Sequence, residues 1–410
     1  MPVFLARQRD VLRSSPSFRL LFGSYLVSGL GTFLAVIALS VDVWDRTHSG
    51  VWVSALLIAD FLPAVAIGLL LGPLVDRLSR KRLLVAADVL RLLVFVLLTF
   101  TVSAGQIVVL ALLAGVATGF ARPAAYAGLP NLVSTEELPR ANALLRLAEQ
   151  LTITVGTFLG GIVVAAAGPD PAYIVNAVSF GVSAALLMRI PGALLQHGRA
   201  ESQGYWHDLG DGFRLVVHTR ALLTVLLSWN LAMVAIGLVN VSEVVLAKES
   251  FDAGDFGFGL LFAANGLGAV VGALFASSWL ERRGMNVLYG LSIGVMGAAY
   301  FAAALAPNVW VAVAFVVVGG VGNAAALVCN TLLVQRGAPD RLRGRAFTLI
   351  MGTNFAVLGL GMVIAGPLVD SLGARWVWGI AGGIGAASAL TGFVLLRRDP
   401  SAALAEPASA

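Results

Sequence analysis

Twelve transmembrane α-helices, arranged as two pseudo-symmetric bundles of six, are what this sequence predicts, and three observations predict it. The first is composition: 59% of the 410 residues are apolar and only 12% are charged, against about 25% charged in a soluble domain. The second is length, because apolar runs of about 20 residues, enough to cross a bilayer, recur along the whole chain. The third is continuity. The runs do not alternate polar and apolar positions as membrane β-strands do, so a β-barrel is excluded and an all-α membrane protein remains.

Apolar runs bounded by charges or by Pro/Gly turns place the helices, in order, at 18–45, 51–75, 83–104, 106–132, 142–167 and 172–190 in the first half. The second half repeats the pattern at 220–246, 257–280, 287–305, 309–335, 346–370 and 374–396. The domains read as an N-terminal bundle over 1–190, a polar linker over 191–219, a C-terminal bundle over 220–396 and a tail over 397–410. Within the linker, the stretch Trp206–His218 has the pattern of a short amphipathic surface helix or a solvated connector. A shift of about 205 residues lays Asp76-Arg77 on Glu281-Arg282, the Glu137–Arg140 loop near Pro339–Arg341, and Gly156 and Gly161 on Gly361 and Gly366. Parallel six-helix repeats of this kind put a substrate site near the bilayer midplane.

Lys and Arg decide orientation. Of the 27, all but Arg46, Arg122, Lys248 and Arg375 fall on one side, which the positive-inside bias makes cytoplasmic, with both termini. No small-residue cleavage site follows the first apolar run, so that run is expected to stay as an anchor. Basic residues scattered among short loops exclude nucleic-acid binding. The one cysteine, Cys329, lies inside a span and reads as a small hydrophobe. The four histidines are too scattered for a metal site, and no phosphate-cradling Gly-Lys-Ser/Thr loop is present to power the protein with ATP.

Between the second and third spans stands Gly72-Pro-Leu-Val-Asp-Arg-Leu-Ser-Arg-Lys-Arg82, which resembles the signature loop of the major facilitator superfamily. Ser79 stands where that family usually has Gly. The runs Glu137–Glu149 and Pro339–Arg345, with the opening Phe18–Phe22, are similar to the branch that contains macrolide-efflux proteins and the enterobactin exporter. The resemblance implies the major facilitator fold in a bacterial cytoplasmic membrane, working as a monomer without a cofactor. It implies export of a small hydrophobic or amphiphilic organic compound (drug, antibiotic or siderophore class), usually in exchange for protons. In such a loop Gly72 permits close helix approach and Asp76 sits at the positive N-terminus of a neighbouring span. By resemblance that span is the eleventh, which has no acid at its start near Arg345, so Asp340 or the helix dipole must serve. Arg77, Arg80 and Lys81 are then expected to bridge acids and close the cytoplasmic side; the alternative is that they only anchor topology.

Ionisable residues inside spans are costly, and so mark candidate function. Asp60, near the middle of the second span and followed by Pro63, is a candidate for proton coupling or a hydrogen-bonded structural acid. Arg122 and Glu149, on spans joined by a short loop, are placed to form an intramembrane ion pair, either coupling protons to movement or neutralising each other. Asp88 and Arg91 read as a local pair snorkelling toward the cytoplasm, and Asp42 and Glu243 as hydrated acids near the outer ends. Gly156, Gly160 and Gly161 form a helix-packing patch like that of antiporters in the superfamily, with Thr157 where those have Pro. Trp229, Asn230, Asn265, Asn330, Asn354 and Phe355 are candidates to line an apolar cavity with a few polar contacts; interhelical hydrogen bonding is the alternative for each asparagine. The readings to separate are an exporter, a proton-coupled symporter importing a small solute, and a membrane sensor or enzyme. The last has no domain in which to carry an output.

Overall fold

The first helix, α1 (Pro16–Thr47), is opened by Ser15, whose hydroxyl accepts from the Phe18 amide while Pro16 fills the first helical position. It closes at His48, which sits in the left-handed region. At 1.5 Å per residue its 32 residues span about 48 Å, more than the ~30 Å hydrocarbon core. This computed structural model describes residues 11–70, 78–195 and 213–397. The expectations for Gly72, Asp76 and Arg77, and for most of the linker, lie outside the described residues; within the linker, residues 213–218 are helical.

Eleven further long helices follow among the described residues. They are α2 (Gly50–Leu70), α3 (Arg80–Leu98), α4 (Ala104–Gly128), α5 (Leu138–Ala167) and α6 (Pro169–Met188). Then come α7 (Arg220–Ser250), α8 (Gly254–Arg283), α9 (Met285–Ala304), α10 (Val309–Gly337), α11 (Asp340–Leu372) and α12 (Ala374–Arg397). Eleven of the twelve are long and apolar enough to cross a membrane. The exception, α3, has the length, but Arg80, Lys81, Arg82, Asp88 and Arg91 load it with charge. No strand occurs among the described residues.

Two boundaries depart from the apolar runs by about six residues, and polar or turn-forming residues mark both. Helix α3 stops at Leu98 rather than near 104, because Ser103 and Gln106 form a reciprocal capping box that starts α4 there. Helix α11 begins at Asp340, ahead of its apolar run and directly after Pro339, whose extended backbone starts the helix there. Replacing Ser103 by Ala is expected to cost about 1 kcal/mol, read as a lower melting temperature of the purified protein; no change would mean that the exposed box is dispensable.

The chain divides into two units, residues 1–48 with 55–200, and residues 49–54 with 201–410. Each repeats one packing scheme. In unit 1, α1 packs on α5 and α6, and α3 on α4 and α6. In unit 2, α7 packs on α11 and α12, and α9 on α10 and α12. The predicted offset of about 205 residues holds at atomic detail. Gly115 of α4 rests against the Asp60 carbonyl of α2, and Gly320 of α10 against the Asn265 carbonyl of α8. The Phe95–Tyr173 ring pair of unit 1 matches Tyr300–Trp378 of unit 2. Ser24 meets Ser183, and Ser228 meets Ser388. Gly168 and Gly373, both with positive φ, make the equivalent turns before α6 and α12.

Small residues hold these bundles because lipid offers no hydrophobic reward for association and close van der Waals approach must supply it. Gly156 and Gly160 of α5 sit on the Leu30 and Leu34 carbonyls of α1, with Gly161 buried beside them. Thr157 is fully buried and returns its hydroxyl to the Ile153 carbonyl, so α5 continues without the proline break.

Candidate functional site

Unit 1 holds a half-open cavity of about 170 Å³ lined by α1, α3, α4, α5 and α6. On α1 its wall is a stripe of hydroxyls at helical spacing: Ser24, Ser28 and Thr32. Ser28 and Thr32 donate to the carbonyls four residues back, which leaves their oxygens able to accept. Tyr25, hydrogen-bonded to Tyr126, lies on the same wall, and Phe33 adds an aromatic surface.

Two ion pairs face this space. Arg122 of α4 donates from Nη2 to Oε1 of Glu149 on α5 at 2.5 Å, the pairing expected from sequence. Their side chains are partly exposed, 58% and 27%, so the pair borders the cavity rather than being sealed behind it. The second pair departs from expectation. Arg91 reaches Asp88 at 2.5 Å, but Asp88 is only 2% exposed and does not snorkel. Its other carboxylate oxygen accepts from Ser183 of α6, which in turn meets Ser24 of α1. Arg91 stacks over the Phe180 ring at 4.4 Å and donates to the Ala87 carbonyl. A buried charge pair is tolerated when each spare donor and acceptor is satisfied in this way. Sequence reasoning missed this cluster by weighing axial depth alone; the hydroxyl stripe of α1 was the signal that this face of unit 1 is polar.

Asp60 forms no hydrogen bond or ion pair with a described residue; it is exposed on α2, with Arg91 within electrostatic reach. Pro63 leaves α2 helical. Its missing amide frees the Ala59 carbonyl, beside which Gly115 crosses.

The basic residues at the start of α3 find carbonyls rather than acids. Arg80 donates to the Ala127 and Leu195 carbonyls, and Lys81 to that of Met188, so they hold the C-terminal ends of α4 and α6. Ser79 caps α3 by accepting from the Arg82 amide.

Two further expectations are corrected. Asp42 is not hydrated: at 6% exposure it binds Arg46 through both oxygens and accepts from Tyr173. Glu243 is not hydrated either, at 4% exposure on α7. Both sit near helix ends, but neighbouring helices cover them.

The cavity candidates of the second half belong to unit 2, and none lines the unit 1 cavity. Trp229 is buried in a π turn of α7, Val225–Trp229. Asn230 reaches Thr353 weakly and leaves Oδ1 without a partner. Asn330 and Asn354 are buried with unpartnered side-chain atoms, both atoms of Asn330 and Oδ1 of Asn354. Asn265 pairs with Tyr300, and Phe355 is half-buried on α11. Orphaned amides call for water or a ligand's polar group. Among the described residues no cluster of His, Cys, Asp and Glu suited to a metal ion occurs.

Residues 12–407 match the family described as transmembrane secretion effector. The chain is 28% identical over 381 residues to the multidrug efflux pump Tap of Mycolicibacterium fortuitum, covering 88% of this chain and 91% of that one. It is 25% identical over 367 residues to the putative bacilysin exporter BacE of Bacillus subtilis (strain 168), covering 88% and 89%. The fold is also that of a POT family transporter solved with 5-aminolevulinic acid, at a TM-score of 0.77, 11% identity and coverage of 95% and 97%.

Proposed function

The chain belongs to the transmembrane secretion effector family of the major facilitator superfamily, and from that premise we propose that its efflux is driven by proton exchange through the unit 1 cavity. It is a multi-pass membrane protein and an efflux transporter of a small molecule. The observation that carries the finer reading is the Arg122–Glu149 pair on the cavity wall. An ionised Glu149 holds Arg122. A proton on Glu149 removes that attraction, and so does a substrate that offers its own positive centre. Two ligands competing for one carboxylate are coupled by necessity, which is what antiport requires. Hydroxyls on one wall and Phe33 nearby suit an amphiphilic organic cation. Arg91, fixed by Asp88 and Phe180, places a positive charge on the cavity wall within electrostatic reach of Asp60. The one-sided distribution of Lys and Arg supports cytoplasmic termini.

The test uses purified protein in proteoliposomes with an imposed proton gradient and fluorescent cationic dyes as substrates. Uphill dye movement that follows the gradient is expected; movement indifferent to it would overturn proton exchange. In the same assay Asp60→Asn is expected to lower driven transport about tenfold while dye binding stays. Unchanged driven transport would remove Asp60 from coupling.

A further inference from the structure

The repeat exposes an asymmetry at the ends of α1 and α7. In unit 1 the acid near that end, Asp42, sits beside the Phe95–Tyr173 aromatic pair and is neutralised by Arg46. In unit 2 the equivalent aromatic pair, Tyr300–Trp378, also has an acid within reach, Glu243. No arginine accompanies it: at the position equivalent to Arg46, α7 carries Ser250.

Glu243 lies seven residues inside the end of α7 at Ser250, roughly 10 Å in at 1.5 Å per residue. It is 4% exposed, and it forms neither a hydrogen bond nor an ion pair with any described residue. Of the charged groups around this end of α7, Glu249 is exposed on α7, and Lys248, Arg375 and Asp370 are engaged elsewhere. Lys248 on α7 itself pairs with Asp255 of α8 at 2.6 Å. Arg375 of α12 donates to the Ala304, Ala306 and Ser250 carbonyls and stacks on Phe251. Asp370 of α11 accepts from Ser49 and from the Gly50 and Val51 amides. The titratable neighbour on α9 is Tyr300, itself paired with Asn265 of α8. A carboxylate buried to 4% exposure, with neither counter-charge nor donor among the described residues, is not sustained in such surroundings.

We propose that Glu243 is a second proton-binding site, built into unit 2, loaded in the conformation described here and emptied to water when movement of α7 rehydrates it. The step is a simple one: the carboxyl O–H breaks, the proton leaves to solvent, and the carboxylate that remains is stabilised only while wet. A second site lets unit 2 move a proton with the substrate cycle independently of Glu149. The transport part of this inference rests on the exporter reading; the occupancy of Glu243 does not.

Infrared difference spectra of the full-length protein in lipid, recorded without substrate or gradient, test the occupancy. At neutral pH the wild type is expected to show a protonated-carboxyl stretch that Glu243→Gln lacks and Glu243→Asp retains. A wild-type spectrum without that stretch, or a stretch unaltered in E243Q, would overturn the proposal whatever the transport assay gives. In proteoliposomes E243Q is expected to run gradient-driven efflux about tenfold slower with its melting temperature preserved. Wild-type rates in E243Q would equally reject the coupling role, whereas absence of gradient-driven efflux in the wild type would strike the exporter reading and leave the spectroscopic result standing.

Discussion

Glu149→Gln is expected to cut gradient-driven efflux about a hundredfold, the full span of a strong binding coupling, while the protein stays folded and still binds dye. Gln is the shape of a protonated Glu and leaves Arg122 a carbonyl to bond, so the partly exposed pair loses its charge without losing its geometry. What disappears is the choice between proton, arginine and substrate on one carboxylate. Dye binding by E149Q should therefore become independent of pH over the range in which the wild type responds. Glu149→Asp, which keeps the charge on a shorter arm, should restore part of the driven rate. If E149Q carries dye uphill at the wild-type rate and pH profile, the ion pair merely neutralises two charges and coupling lies elsewhere.

Gly115→Val should prevent the protein from accumulating as a monodisperse species. A Cβ at Gly115 would stand 2.2 Å from the Asp60 carbonyl oxygen and 2.9 Å from that of Ala59, both backbone atoms on a neighbouring helix. Neither can swing aside, so α4 and α2 must separate along their contact. Overpacking by a methylene or two costs about 1–3 kcal/mol where side chains give way, and backbone against backbone gives way less. The equivalent Gly320→Val, with a Cβ 2.3 Å from the Asn265 carbonyl oxygen, should fail in the same manner. Gly359→Ala, at a glycine with nothing within 4 Å, is the control that should be silent. Size-exclusion profiles after membrane extraction distinguish them, and a well-behaved G115V would show that the crossing is looser than its geometry.

The helices were legible because a bilayer demands long apolar runs, and a run is visible without knowing its neighbours. Their ends were less so: at α3 and α11 polar residues extend or cut the helix beyond the apolar signal. The Arg122–Glu149 pair was legible from a short loop that makes α4 and α5 neighbours. Asp42, Asp88 and Glu243 were misplaced for one shared reason. Distance from a helix end follows from residue number, but burial depends on which way a helix is turned and on what α6 or α9 lays against it, as Tyr173, Ser183 and Tyr300 do. All-apolar spans carry little periodicity from which that rotation can be read. The asparagines of unit 2 were recognised as notable, yet sequence had no means to separate Asn265, which has a partner, from Asn330, which has none.

Helix α7 ends in the π turn Leu246–Ser250. A π turn houses one surplus residue inside a helix without breaking it. Counterparts on α1 and α7, such as the Leu30 and Val234 carbonyls beneath Gly156 and Gly361, or Ser24 and Ser228, are spaced one residue closer in number than counterparts beyond them, such as Asp60 and Asn265 or Ser183 and Ser388. Between Val234 and Asn265 the only helical turn that departs from α geometry is this one. Yet the left-handed turn residues His48 and Asp252 keep the closer spacing, so the extra residue enters after this turn, and the later contacts stay in step.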